Sequence, residues 1–296
     1  MLGIDYNAQH ERWGKALKLS EQYPDFNLLV IYYTNLALYK SGNLLEKMFS
    51  YPQTGANGLR LKRERSSGFF FGGEVFYYLS YTSEANRWAF ETMIARGLNP
   101  RALKRLIATC IINGEAEIAK KYLYLLNQTL FYRNFTKQYV TYVNNPQLAD
   151  KDPDIARNRD LMIHSDFVSS EDDLNLLELL KNHPENKMAY EYLIASLLLD
   201  KRLDAFAIYI LRMKDYSYTK MPVHIEEALL FYNTYENKNI MPAGFSFRPE
   251  TISRFNDYMT KYNSFRDNTE LAARELKKTY GKTYWYYLHF INNKEK

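Results

Sequence analysis

Between residues 99 and 131 apolar side chains recur at steps of three and four. Leu103, Leu106, Ile107, Cys110 and Ile111 share one face of a cylinder, while Arg101, Lys104 and Arg105 lie elsewhere on it. Asn99 is a good helix cap, and Pro100 suits the first helical position, where its missing N–H costs nothing. The helix is expected to end at Asn113-Gly114. Beyond that turn Ala116, Ala119, Leu123, Leu126 and Leu130 make a second apolar stripe, with Glu115, Glu117, Lys120 and Lys121 on the exposed side. This predicts an antiparallel helix pair. Neither helix can bury its stripe without neighbours above and below, which is the physical signature of a stacked helical repeat.

The rest of the chain carries the same period. Helices are expected over 5–22, with Trp13, Ala16, Leu17 and Ser20 on one side, over 27–40, and from Leu44. The pattern fails over 51–68, where Pro52, Gly55, Gly58 and the charged run Lys62-Arg63-Glu64-Arg65 predict a surface loop. Phe69-Phe70-Phe71 before Gly72-Gly73 reads either as an exposed anchor or, the commoner case, as aromatics tucked into the core. Both 75–82 and 83–96 are expected to be helical, followed after the founding pair by 131–143. Residues 144–167 lose the period around Pro146 and Pro153. Ser170 is the expected cap of a helix that starts with Asp172 and Asp173. Residues 186–199, apolar on almost every side, predict a central helix wrapped by others. Lys201-Arg202 is the next turn, and Leu203, Phe206, Ala207, Ile210 and Leu211 repeat the stripe. Further helices are expected over 223–236, 250–262, 268–280 and around 284–291. The organisation is read as amino-terminal helical repeats over 1–143, an irregular connection over 144–169 and carboxyl-terminal helical repeats over 170–296, together one continuous array.

Composition sharpens this only in places. With 27 Tyr and 17 Phe, ring contacts should dominate the packing. The net charge of +5 comes from interspersed cations and anions, so nucleic acid is not implied. Cys110, the single cysteine, excludes an intrachain disulfide and reads as a small buried hydrophobe. The longest apolar stretch, 27–39, is broken by Thr34 and Asn35 and is too short to span a bilayer. No secretory leader is evident.

Candidate chemistry is sparse. His10, His164, His183, His224 and His289 stand far apart in sequence, with no second cysteine to complete a zinc set. Asp150, Asp152 and Asp154 alternate as an EF-hand loop begins, but Ile155 replaces the glycine and Leu161 stands where the closing Glu belongs. A solvated acidic loop is the better reading. Glu226-Glu227 and Asp172-Asp173 are adjacent carboxylates, which on a helix point in different directions and do not make an acid–base couple. With no phosphate loop and no nucleophile elbow, the expectation is a protein without metal, cofactor or catalysis.

The helix pairs resemble tetratricopeptide repeats. Ala195 and Ala207 have that family's alanine spacing without a turn glycine, whereas Gly114 and Ala119 fit its turn and second helix with Ile107 in the small-residue place. Ala119 and Ala207 are not separated by a whole number of ~34-residue periods, so insertions or degenerate repeats must intervene. The fold class is therefore read as all-α, with antiparallel helix pairs stacked as a tetratricopeptide-like α-α superhelix. More specifically, YYTNLALYKSGNLLEKMF, KRLIATCIINGEAEIAKKYLYLLNQTLFYRNF, ENKMAYEYLIASLLL and KTYWYYLHF resemble the soluble carboxyl-terminal region of a Bacteroidota family of multi-span membrane proteins with no assigned function. The resemblance implies the extramembrane half of a bacterial inner-membrane protein, attached to the membrane through segments absent from this chain.

Tetratricopeptide arrays bind extended peptides on their concave face. The residues offered there would be Arg101, Lys104 and Arg105, and an acidic or carboxylate-ending peptide is the matching ligand class. A solvated basic helix face is the commoner meaning of such a pattern. The first functional reading is an interaction scaffold for a protein or peptide partner; the second is an accessory domain of a membrane-embedded transferase, handling glycans. Aromatic residues on an open groove would favour the second, and a basic groove without them the first. The run Tyr284 to Phe290 reads as the cap of the last helix pair rather than as a bilayer anchor, because its lysines wait until Lys294 and Lys296.

Overall fold

A computed structural model describes residues 1–23, 26–62, 66–164, 169, 172–265 and 268–292. The protein is all-α: helices supply its regular structure, and no strand occurs among the described residues. The chain divides into two compact units, Met1–Arg60 with Tyr190–Lys296, and Leu61–Ala189.

The first unit opens with a departure from the expected single helix over 5–22. Glu11 takes φ 54, in the left-handed region, and splits the segment into Leu2–Gln9 and Trp13–Ser20. The two pack against each other and against Leu28–Lys40. That third helix starts where Asn27 Oδ1 accepts the N–H groups of Leu29 and Val30 at 3.1 and 3.2 Å. It is buried from Leu29 through Leu38, Thr34 and Asn35 included.

Asn35 explains why the segment after Tyr51 is not the expected surface loop. Its Nδ2 donates to Gln53 Oε1 at 3.0 Å and to the Gly58 carbonyl at 3.1 Å, while Gln53 Nε2 donates back to Asn35 Oδ1 at 2.9 Å. A buried amide must find such partners, and this pair pulls Gln53, Leu59 and Arg60 inward with it. Gly58 is required at the contact, since a Cβ there would lie 2.6 Å from Ile31 Cγ2.

The helix Lys187–Leu199, within which the unit boundary falls, is buried at every residue from Met188 on. Lys201 at φ 59 makes the turn into Leu203–Tyr209 and the 3₁₀ segment Ile210–Tyr216. Val223–Tyr235 then acts as a hub, packing on Leu44–Lys47, on Pro249–Ser264 and on Tyr284–Phe290. The contact with Leu44–Lys47 is of a different kind from the sequential packing of a simple stack. At its start the Val223 N–H donates to Glu46 Oε2 at 2.9 Å. The carboxyl-terminal aromatic run is packed inward: Tyr284, Trp285, Tyr286 and Tyr287 are all buried, Trp285 completely, among Phe231, Phe255, Tyr258, Leu276 and Tyr280.

In the second unit Thr82–Arg96, Pro100–Ile112, Ala116–Asn127 and Arg133–Asn144 each lie beside the next. The founding pair is as its pattern predicts. Asn99 Oδ1 accepts the Ala102 N–H at 3.0 Å, Gly114 turns the chain at φ 78, and Ile107 and Ala119 are fully buried. Leu130 departs from its stripe: it lies past the helix end and is 76% exposed. Residues 144–169, expected to be irregular, carry Pro146–Ala149 and Pro153–Leu161, each with proline in its first turn. Arg159 from the latter donates to the carbonyls of Ile111 and Ile112 at the end of Pro100–Ile112, where the Gly114 N–H also reaches Ile111. The expected cap Ser170 lies outside the described residues, which resume at Asp172–Asn182.

Candidate cationic face and groove

Arg101, Lys104 and Arg105 stand at i, i+3 and i+4 on Pro100–Ile112, which brings them to one side of the helix. The structure gives them different roles. Arg105 is mostly buried. Its Nη2 is ion-paired with Glu74 Oε2, and its guanidinium lies 3.5 Å over the centre of the Tyr77 ring. Burial alone would raise the Glu74 carboxyl, but the charge of Arg105, backed by Arg101 and Lys104, outweighs it and holds Glu74 below the usual carboxylate range. Burial likewise opposes the Arg105 charge, and Glu74 and Tyr77 more than restore it. The Tyr77 phenol is pushed up to about 12, chiefly by burial. Arg105 Nε has no hydrogen-bond acceptor among the described residues, and a crevice of about 20 Å³ beside it is the size of one water. Arg105 thus has its charge committed to Glu74 inside the protein.

Arg101 and Lys104 are half-buried. The Arg101 guanidinium lies 4.8 and 4.9 Å from the ring centres of Phe70 and Phe71, and the Lys104 ammonium lies 5.2 Å from that of Phe135 and 5.9 Å from that of Tyr132. Phe70 and Phe71 therefore serve neither as a free anchor nor as plain core: they are a seat for a cation. The sequence marks both the Phe run and the cations, but it carries no signal that pairs them across about thirty positions.

A second feature escaped the sequence reading. Ala116–Asn127 and Arg133–Asn144 leave between them an open groove of about 630 Å³. Leu123 and Val143 are buried at it, Tyr124 and Val140 are 69% and 43% exposed, and Lys120 and Lys137 also line it. Thr136 Oγ1 donates to Asn127 Oδ1 at 3.0 Å and ties the two helices together at one end.

The acidic loop, the Glu226-Glu227 pair and Cys110 are absorbed by the fold. Asp152 caps Pro153–Leu161 through the N–H groups of Asp154 and Ile155, Asp154 pairs with Arg157, and Asp150 with Arg159. Glu226 and Glu227 point apart as their adjacency requires. Glu226, fully buried, accepts the backbone N–H of Arg248 and that residue's Nε. Glu227 Oε2 accepts the Tyr284 N–H at 2.8 Å and lies 3.1 Å from His224 Nδ1. Each carboxylate thus closes the start of a different helix. Cys110 is buried, and burial pushes its thiol up to about 12, which keeps it protonated. Among the described residues no three His, Cys, Asp or Glu side chains gather as a metal set, and no helix is long and apolar enough to cross a membrane.

The fold defines an all-α protein of packed helix hairpins, with a cation-on-aromatic face and an apolar groove in its second unit. The chain belongs to a family of unknown function, DUF6057, which matches residues 1–291. No curated protein and no solved structure matches it.

Proposed function

We propose that the chain is a non-catalytic, tetratricopeptide-like interaction domain that binds an acidic or carboxylate-ending peptide of a partner protein through Arg101 and Lys104. The observation that carries this reading is the seating of both cations, one helical turn apart, over pairs of aromatic rings. A cation held over a ring has less freedom left to lose when a carboxylate arrives, so more of the attraction survives as affinity. The buried Arg105–Glu74 pair beneath them adds rigidity to the same face. The domain is further proposed to be the extramembrane part of a Bacteroidota membrane protein, on the strength of the four segments that resemble such a family.

The alternative, an accessory domain of a membrane-embedded transferase that handles glycans, draws on the same rings. Aromatics do line this face. They lie under cations, however, so this face does not offer a sugar bare ring faces, and the peptide reading is preferred on that ground.

Fluorescence anisotropy with a labelled polyglutamate octapeptide tests it. Saturable binding that weakens with salt and falls at least about tenfold in Arg101→Glu/Lys104→Glu is expected. Equal binding by the variant, or a response to neutral oligosaccharide and none to the peptide, would overturn the peptide reading.

A further inference from the structure

Apart from the cationic face, the second unit exposes large apolar side chains at several places, and one hairpin carries the largest share of them. Tyr124 and Val140, 69% and 43% exposed, line the 630 Å³ groove between Ala116–Asn127 and Arg133–Asn144, and Leu130 and Phe131 in the connection between those helices are 76% and 91% exposed. Large apolar side chains left to water singly need no explanation, but five on one hairpin, Ile118 at 43% among them and two lining a groove, mark a docking surface. The groove runs between two helices, the geometry that receives a third helix by its apolar face.

The charge on the hairpin selects the occupant. Residues 116–144 carry Lys120, Lys121, Arg133 and Lys137 against the single anion Glu117. Lys120 holds Glu117 at 2.6 Å in an exposed pair, which a competing carboxylate can exchange for at small cost. A second copy of this chain would bring the same cationic surface against itself, because a two-fold interface is built from identical patches.

We propose that this groove seats an amphipathic, acidic helix of a partner protein, with its apolar residues between Tyr124 and Val140 and its carboxylates toward Lys120 and Lys137. The inference goes beyond the Arg101–Lys104 reading and does not depend on it, since the two surfaces use different side chains. The helix is anchored by apolar contact; its acidic residues set the orientation and the salt dependence.

The test is anisotropy titration of the full chain with a labelled peptide of about 14 residues, Leu at i, i+3, i+4 and i+7 and Glu on the opposite face. Saturable binding is expected, reduced at least about tenfold in Val140→Asp, in Tyr124→Ser and in Lys137→Glu. Tyr124→Ser sits at an exposed position, so it keeps the test valid should Val140→Asp fail to fold. Absence of saturation at about 1 mM, or equal binding of a control peptide with Leu replaced by Ser, overturns the proposal. So does self-association of the chain in sedimentation that Tyr124→Ser abolishes, which would give the groove to a second copy.

Discussion

Glu227 Oε2 accepts the backbone N–H of Tyr284 at 2.8 Å across 57 positions of sequence, and Trp285 Nε1 donates to the carbonyl of the same Glu227 at 2.8 Å. One residue of the hub helix therefore closes the start of the last helix and orients its tryptophan. Its neighbour Glu226 does the same for Pro249–Ser264 through Arg248. Glu227→Ala removes a buried acceptor and leaves His224 and the Tyr284 N–H without it, so chemical denaturation should show a loss of about 3 kcal/mol. Glu227→Gln retains an acceptor oxygen and should cost less. Equal losses in the two variants would mean that the negative charge of the carboxylate, not a neutral acceptor oxygen or the side-chain volume, is what matters.

The Glu74–Arg105 pair should behave as a buried ion pair. Glu74→Gln leaves the Arg105 charge uncompensated and should cost about 3–5 kcal/mol, whereas replacing both residues by methionine should cost less than either single change. Because the folded-state Glu74 carboxyl is held below its ordinary value, its contribution is present above the ordinary carboxylate range and is lost as pH falls through the folded value. A double-mutant cycle in thermal melts measures both points.

His289 supplies a second pH window. Burial, with Lys201 adding to it, lowers this imidazole from 6.5 to about 4, and its ring stacks on Tyr262 at 4.2 Å while Nδ1 faces the Tyr258 hydroxyl. The folded protein keeps His289 neutral where the unfolded chain would bind a proton. Its contribution is thus complete above pH 6.5 and falls as pH drops from 6.5 toward about 4. The melting temperature should decline across that interval in the parent and decline less in His289→Gln.

Ala119, with no exposed surface, and Ala207, at 5%, sit where neighbouring helices approach. Leucine at either position should overpack the contact and cost about 1–3 kcal/mol, read as an earlier midpoint in urea. Variants that unfold with the parent would show room at these helix contacts that the burial does not reveal.

Helices whose apolar period comes with a side-chain cap were legible in the sequence, as at Asn27, Asn99 and Asn268, each of which accepts N–H groups of the following turn. Breaks without chemistry of their own were not. Glu11 has no side-chain preference for positive φ, so nothing local announces the split after Gln9. Polar residues that turn inward to satisfy one another mislead in the same way: Gln53 looks like loop until Asn35 is beside it. At the candidate site, the period placed Arg101, Lys104 and Arg105 on one side of a helix but could not show that Arg105 pairs with Glu74. Glu74 lies 31 positions from Arg105, and such a distance leaves no mark in a single sequence. The groove was hidden for a related reason: Tyr124 and Val140 each look like ordinary parts of an amphipathic helix, and only their exposure side by side makes a surface.

Binding of acidic partners by the second unit is read from zero-length carbodiimide coupling of the polyglutamate and amphipathic acidic peptides to the full chain, with the linked lysines mapped by mass spectrometry. Coupling joins a carboxylate only to an ammonium it already touches, so each linked lysine reports the place of contact. The prediction is linkage at Lys104 for the polyglutamate peptide and at Lys120 and Lys137 for the amphipathic one, both suppressed by high salt. Linkage spread evenly over the lysines of the chain, or concentrated on those of the first unit, would contradict it.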